Sequence, residues 1–197
     1  MSSVEIRSAL KAQLRKQALG RREAMDEGRR IEASLAIADR AMENWPAGDH
    51  CVLGGYLPIR SEVDPRPLMV LAADRRMQLA VPAIVGRTLD FRMLERGAPL
   101  VPQGHGTVAP GEGALRLRPD ILLVPLAAFD RRGHRIGYGG GFYDRAIAAL
   151  REGGRRPITV GLAFATQEVE TVPDEAFDVA LDLIVTEAET IRTERSP

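Results

Sequence analysis

The feature that most limits the fold of this sequence is a series of short apolar segments that lack polar alternation and are separated by helical patterns. A strand that is apolar on both sides requires cover on both faces of its sheet. We therefore predict an α/β fold: a three-layer α/β/α sandwich with a largely parallel central sheet, preceded by N-terminal helices. The segments are CVLGGYLP (51–58), MQLAVPAIV (77–85), TLDFRML (88–94), DILLVPLAAF (120–129), ITVGLAFA (158–165) and LDLIVTE (181–187).

The chain before the first of these segments is predicted to be helical over about residues 3–45. Up to about Met25, apolar residues recur at steps of three and four amid basic residues, which is the period of an amphipathic helix. Asp26 is a suitable N-cap for a second helix that extends to Trp45. Asp64 and Pro65 are predicted as the N-cap and first residue of a further helix.

Length and charge narrow the classes of protein that fit. A chain of 197 residues supports one hydrophobic core, so we expect a single domain over residues 1–197. The formal net charge is zero, which argues against a nucleic-acid or membrane partner. Without an apolar span or a secretory signal, the sequence predicts a cytoplasmic protein, either a monomer or a weak homodimer. Residues 100–113, rich in proline and glycine, are predicted to form a long surface loop.

The segment GHRIGYGGGFYDR (133–145) is the most informative for function. Five glycines between Gly133 and Gly141 follow an apolar strand and precede a helical pattern. Such a loop frees backbone N–H groups, and a helix N-terminus adds partial positive charge, so a phosphate would fit there. Neither the Walker A sequence nor the dinucleotide-binding fingerprint matches. An ordinary flexible turn is therefore an equally good interpretation of the glycines alone.

Charged residues around this loop favour an anion site. Arg135 and Arg145 flank the glycines, and Asp144 could either hold a magnesium ion or cap the following helix. The acidic stretch from Asp174 to Asp182 could be a solvated loop or could complete a metal site. Glu62, which follows the first strand, could be an exposed loop acid or could bind the polar edge of a substrate. No histidine spacing or nucleophile motif indicates other chemistry.

Three segments in order resemble the 5-formyltetrahydrofolate cyclo-ligase family. They are KAQLRKQALGRREAM (11–25), GGYLPIRSEVDPRPLM (54–69) and LLVPLAAFDRRGHRIGYGGGFYDR (122–145). The resemblance implies a three-layer α/β fold and an ATP- and Mg²⁺-dependent ring closure. In that reaction 5-formyltetrahydrofolate becomes 5,10-methenyltetrahydrofolate, and ADP and phosphate are released.

The resemblance also implies a role for particular residues. Lys11, Arg15 and Arg135 would be the catalytic cations, and Asp144 and Asp178 would bind Mg²⁺. Some family members carry lysine where this chain has Gly140, and many carry tyrosine at Phe142. The positions implied for ATP are Lys11, Ala12, Gln13, Leu14, Arg15, Arg135, Ile136, Gly137, Tyr138, Gly139, Gly140, Gly141, Phe142 and Tyr143. Those implied for folate are Arg15, Leu57, Glu62, Tyr138, Gly139, Gly140, Gly141 and Phe142.

The implied mechanism needs no nucleophile from the protein. ATP phosphorylates the formyl oxygen, the N10 amine of the substrate attacks the activated carbon, and phosphate leaves. Two other classes stay open at this point. One is a sugar-phosphate isomerase or an acyl-transfer enzyme on a related α/β scaffold, and the other is a non-catalytic protein that binds folate or nucleotide.

Overall fold

The computed structural model of the protein describes residues 2–45, 48, 50–175 and 178–193. A seven-stranded sheet lies at the centre of the molecule. The strands are β1 (Val52–Gly54), β2 (Gln78–Val85), β3 (Thr88–Met93), β4 (Leu100–Gly104), β5 (Thr107–Pro110), β6 (Ile121–Pro125), β7 (Ala128–Phe129), β8 (Arg135–Ile136), β9 (Ile158–Leu162), β10 (Leu183–Val185) and β11 (Thr190–Arg192). The helices are α1 (Ser3–Glu23), α2 (Glu27–Glu43), α3 (Arg66–Asp74), α4 (Phe142–Glu152) and a 3₁₀ turn (Ala165–Gln167).

The order of strands in the sheet is β11-β10-β9-β6-β1-β2-β3. The five inner strands are parallel to one another, whereas β3 and β11 pair antiparallel at the two edges. Two further pairs, β4 with β5 and β7 with β8, form separate antiparallel ribbons. The predicted, largely parallel sheet is confirmed.

Helices cover both faces of this sheet, which confirms the three-layer prediction. Successive strand residues point to opposite faces. Leu53 accordingly packs with α2 and α3, whereas its neighbour Val52 packs with α4. Helix α1 belongs to neither layer: Leu14 and Ala18 pack against the β7–β8 ribbon. None of the described helices is long and apolar enough to cross a membrane.

The starts of α2 and α3 agree with the predicted caps, except that α3 begins one residue later than predicted. Asp26 caps α2 by accepting a hydrogen bond from the N–H of Arg29 at 3.0 Å, as predicted. The predicted start of α3 was wrong by one residue, because Pro65 is the N-cap and Arg66 begins the helix. The Asp64 carboxylate still accepts a hydrogen bond from the N–H of Arg66 at 2.9 Å.

The prediction of a long loop over residues 100–113 was wrong. Most of this segment is the β4–β5 hairpin, whose reversal includes Gly104, His105 and Gly106, all with positive φ. The glycines therefore serve a tight turn between two strands. The apolar segment 120–129 also differs from the prediction, since it divides into β6 and β7, and β7 turns away to pair with β8.

A buried carboxylate organises the turn between β7 and β8. Asp130 is 0% exposed and accepts hydrogen bonds from the backbone N–H groups of Arg132, His134 and Val172 at 2.9–3.1 Å. The Arg132 guanidinium adds an ion pair at 2.7 Å. This turn directs the chain into β8 and so into the glycine-rich segment.

We expect Asp130→Ala to lower the free energy of unfolding by about 2–4 kcal/mol, because three backbone donors and a guanidinium lose a buried charged acceptor. Asp174→Ala is the matched control, since Asp174 also pairs with Arg132 but is partly exposed. Its cost should stay within about 1 kcal/mol. Urea unfolding measures both, and equal costs would show that Asp130 does not organise the turn.

Candidate active site

The glycine-rich segment joins β8 to α4 at one end of the site. Gly139 and Gly141 have φ values of 98° and 61°, in the left-handed region that glycine adopts without strain. Gly141 is the N-cap of α4, and no side chain caps this helix. The alternative that Asp144 caps the helix is therefore wrong. The loop instead places the open N-terminus of α4 beside a run of exposed backbone.

Helix α1 presents two of the predicted cations to this loop. Lys11 and Arg15 are four residues apart and therefore lie on one face of the helix. Arg15 Nε donates a hydrogen bond of 2.7 Å to the carbonyl of Gly137. Lys11 Nζ lies 2.5 Å from the carboxylate of Asp178 and 3.5 Å from that of Glu175. The helix is thus tied both to the glycine loop and to the acidic segment.

Arg135 also links the helix that follows the glycine loop to the acidic segment. Its side chain is only 6% exposed, and its guanidinium pairs with Asp144 at 2.7 Å. The other terminal nitrogen donates to the carbonyl of Val179 at 2.6 Å. Each of the two acids implied for Mg²⁺ is therefore paired with a cation implied for phosphate binding. Among the described residues, no three His, Cys, Asp or Glu side chains form a cluster that could hold a metal ion.

Glu62 lies in the bend after β1 and is 9% exposed, so the interpretation as an exposed loop acid is wrong. Burial raises the pKa of its carboxyl group above the ordinary value. Hydrogen bonds from the N–H of Ile59, at 2.9 Å, and from the Tyr138 hydroxyl act in the opposite direction, as do the charges of Arg22 and Arg60. Leu57 is half-buried beside the α2 and α3 core.

Two aromatic residues at the start of α4 face different surroundings. The hydroxyl of Tyr143 is buried and has no hydrogen-bond partner among the described residues. Burial and the nearby Glu62 raise its pKa, whereas the Arg135 charge lowers it. The ring of Phe142 lies between the guanidinium of Arg145, at 5.3 Å, and the edge of His105, at 6.3 Å.

Because Arg145 flanks the glycines, the sequence suggested that its charge could face an anion. In the structure its guanidinium is instead engaged by backbone carbonyls. Its guanidinium donates to the carbonyls of Gly140 and Arg87, at 2.6 and 2.5 Å. It therefore anchors the glycine loop to the β2–β3 turn. Of the remaining predicted positions, Ala12 and Gln13 are exposed on α1, Leu14 packs toward the β7–β8 ribbon, and Ile136 is buried.

Sequence reasoning missed Arg22, a buried arginine at the end of α1. It is 1% exposed and contacts the Glu62 bend, the end of β6 and the glycine loop. A signal was present, because Arg22 continues the buried stripe of Leu14 and Ala18 at steps of four. A charged residue in such a stripe needs polar partners in the interior.

Comparisons with known proteins agree with this architecture. The sequence model of the 5-formyltetrahydrofolate cyclo-ligase family matches residues 7–187. A 5-formyltetrahydrofolate cyclo-ligase of Escherichia coli K12 is 33% identical over 174 residues, which is 84% of this chain and 94% of that protein. One from Haemophilus influenzae is 49% identical over 67 residues, a segment that covers 34% of this chain and 35% of that protein.

Solved structures show the same fold. The NMR structure of Aquifex aeolicus 5,10-methenyltetrahydrofolate synthetase superposes with a TM-score of 0.77 and 28% identity, over 95% of each chain. A Mycoplasma pneumoniae protein with the same name gives a TM-score of 0.72 at 23% identity, over 90% of this chain and 98% of that one.

We expect Glu62→Gln to stabilise the substrate-free protein at pH 7–8. Because burial raises the pKa of Glu62, the folded state holds this proton more tightly than the unfolded chain, and stability is lost as pH rises through the raised pKa. Glutamine mimics the protonated acid. Thermal unfolding should show the gain at neutral pH and little gain below about pH 3.5, where this carboxyl group is mostly protonated in both states of the wild type.

Glu152→Gln, on the exposed last turn of α4, should show no gain at either pH. A lower stability of Glu62→Gln at pH 7–8 would mean that the attraction between Glu62 and the neighbouring guanidinium groups outweighs the cost of burying the charge.

Proposed function

This chain belongs to the 5-formyltetrahydrofolate cyclo-ligase family and is an enzyme of that family, and we propose that it uses ATP to close the ring of 5-formyltetrahydrofolate. The products would be 5,10-methenyltetrahydrofolate, ADP and phosphate. The observation that carries this proposal is the placement of three cations around the glycine loop. Arg15 donates to the carbonyl of Gly137 within the loop, and Lys11 lies one turn away on the same face of α1, paired with Asp178. Arg135 pairs with Asp144 in the helix that follows the loop. Family membership disfavours the isomerase and acyl-transfer alternatives.

The arrangement of cations suits the transfer of a phosphoryl group. Catalysis of such a transfer depends on positioning and on stabilising the charge of the moving group. Arg135 is fixed at two points and largely excluded from water, so little reorganisation is needed for its charge to act. Lys11 is more exposed and can turn from Asp178 toward a phosphate, because its four-carbon stem is flexible.

The acids fit a role in binding Mg²⁺ together with phosphate oxygens. Asp144 and Asp178 supply carboxylate oxygens, the donors that Mg²⁺ prefers, and both are partly exposed. When bound, Mg²⁺ would neutralise phosphate charge. In the structure Arg135 and Lys11 neutralise these carboxylates, so an arriving triphosphate would compete for the same two cations.

The other side of the loop suits the folate. Glu62 is buried and its pKa is raised, so an ionised Glu62 carboxylate gains from N–H donors such as those at the edge of a pterin. Leu57 and Phe142 would add apolar contact. With folate and triphosphate on the two sides of the loop, the formyl oxygen can meet the terminal phosphate in line, and the substrate's own N10 is the nucleophile.

One assay tests the proposed reaction. Purified protein is mixed with 5-formyltetrahydrofolate, MgATP and buffer, and methenyl absorbance and ADP are followed together. Equal amounts of the two products support the proposal. ADP without methenyl product would indicate a different acceptor, and the absence of both would refute the reaction.

Replacing Arg135 or Asp144 by alanine should reduce kcat by about 100-fold or more, because each loses a charge that acts on the transferring group or its metal. Arg151→Ala is the control for arginine loss, since Arg151 lies on the exposed last turn of α4. It should retain the rate of the wild type. Circular dichroism verifies folding, and a wild-type kcat in both site variants would contradict the assignment.

A further inference from the structure

Arg22 joins the three segments that surround the proposed folate side of the site. Its Nε donates to Ser61 Oγ at 3.1 Å, in the bend that carries Glu62. One terminal nitrogen donates to the carbonyl of Leu126 at 3.4 Å, just after β6, and the other donates to the Tyr138 hydroxyl at 2.8 Å. A planar guanidinium has donors in fixed directions, so it sets the relative positions of these segments.

The charge of Arg22 is balanced at a distance rather than by a direct ion pair. Its hydrogen-bond acceptors are two side-chain hydroxyls and a carbonyl, all neutral. The carboxylate that its charge reaches is Glu62, whose pKa the Arg22 charge lowers and which follows the acceptor Ser61 in the same bend. A buried cation is stable only with such compensation. Arg22, its acceptors Ser61 and Tyr138, and the neighbouring Glu62 therefore form one group, which we call the Arg22 relay.

The position of Arg22 separates it from the phosphate-binding cations. It is 1% exposed and its three nitrogens are all engaged, whereas Lys11 and Arg15 lie along the more accessible part of α1. It cannot reach a triphosphate without breaking the relay. Its influence on the reaction must pass through Glu62 and Tyr138.

We propose that Arg22 is a positioning residue that orients Tyr138 and the bend carrying Glu62 for the folate, so that it determines folate affinity and not phosphoryl transfer. This inference rests on the proposed function, in which Glu62 binds the pterin. It assigns a role to the end of α1 that is distinct from that of Lys11 and Arg15.

The charges of Arg22 and Arg60 and the Tyr138 hydroxyl lower the pKa of Glu62, and Glu62 in turn raises the pKa values of the buried Tyr56 and Tyr143 beside it. Burial raises the pKa of Glu62, and the two arginines lower it. Loss of the Arg22 charge should raise that pKa further. Because the ionised form binds the folate, the acid limb of folate affinity should then move to higher pH.

The test measures binding of 5-formyltetrahydrofolate by calorimetry across pH, and the KM values for folate and ATP in the coupled assay. Arg22→Met should weaken folate binding by about tenfold or more at neutral pH, because Tyr138 and the Glu62 bend lose the charged donor that holds them in place. Its acid limb should shift upward, while the KM for ATP stays near the wild-type value. Arg22→Lys retains the charge and should restore the acid limb.

Arg21→Met is the matched control. Arg21 is exposed and fastens α1 to the carbonyls of Thr166 and Glu168, away from the Arg22 relay. It should leave folate affinity and the acid limb unchanged. If Arg22→Met does not fold, Arg22→Gln decides, because it removes the same charge and leaves a side-chain amide donor in the buried site. This variant should also lose folate affinity and keep the KM for ATP.

The outcomes separate this inference from the proposed function. A wild-type protein that neither binds folate nor forms methenyl product overturns both. A functional wild type with unchanged folate affinity and acid limb in Arg22→Met, or in Arg22→Gln where that variant decides, overturns the inference alone. So does a variant that loses kcat or ATP affinity while its folate affinity is retained.

Discussion

The parallel pairing of β1 with β6 places the candidate site. Leu53 lies beside Ile121 and Gly54 beside Leu122, so the two strands run in the same direction and end at the same edge of the sheet. The chain that leaves β1 forms the bend with Glu62, and the chain that leaves β6 leads through the β7–β8 ribbon to the glycine loop. Ligand sites in such sheets lie beyond the carboxyl ends of the strands. Helix α1 lies over this edge and brings its cations to both loops.

Charge in the site is paired almost throughout, which agrees with a net charge of zero for the whole chain. Lys11 is paired with Asp178 and Arg135 with Asp144, and the charge of Arg22 acts on the nearby Glu62. An anion that enters must therefore compete with carboxylates for the cations. This competition links ligand binding to the positions of α1, which carries Lys11, and of the acidic segment, which carries Asp178.

Local sequence patterns predicted the structural features that depend on residues close together in the chain. The apolar segments predicted the parallel sheet, and the steps of three and four predicted α1 and α2. Such patterns cannot predict which distant segments pair. Lys11 and Asp178, for example, are 167 residues apart in the chain. The β4–β5 hairpin was mistaken for a loop because its turn glycines resemble loop composition. Arg22 was missed because its burial depends on how α1 packs against Tyr138 and Ser61.

The two departures from the family pattern, at Gly140 and Phe142, are parts of one packing arrangement. A Cβ atom at Gly140 would lie 2.7 Å from Cδ2 of Phe142, closer than two carbon atoms approach without repulsion. The ring occupies that space while the Arg145 guanidinium lies over it, and the same guanidinium binds the Gly140 carbonyl. A lysine at 140 would therefore have to displace the aromatic ring at 142. Glycine lets the ring stay beside the loop backbone, and in the proposed reaction Lys11, Arg15 and Arg135 would supply the positive charge that faces the phosphate.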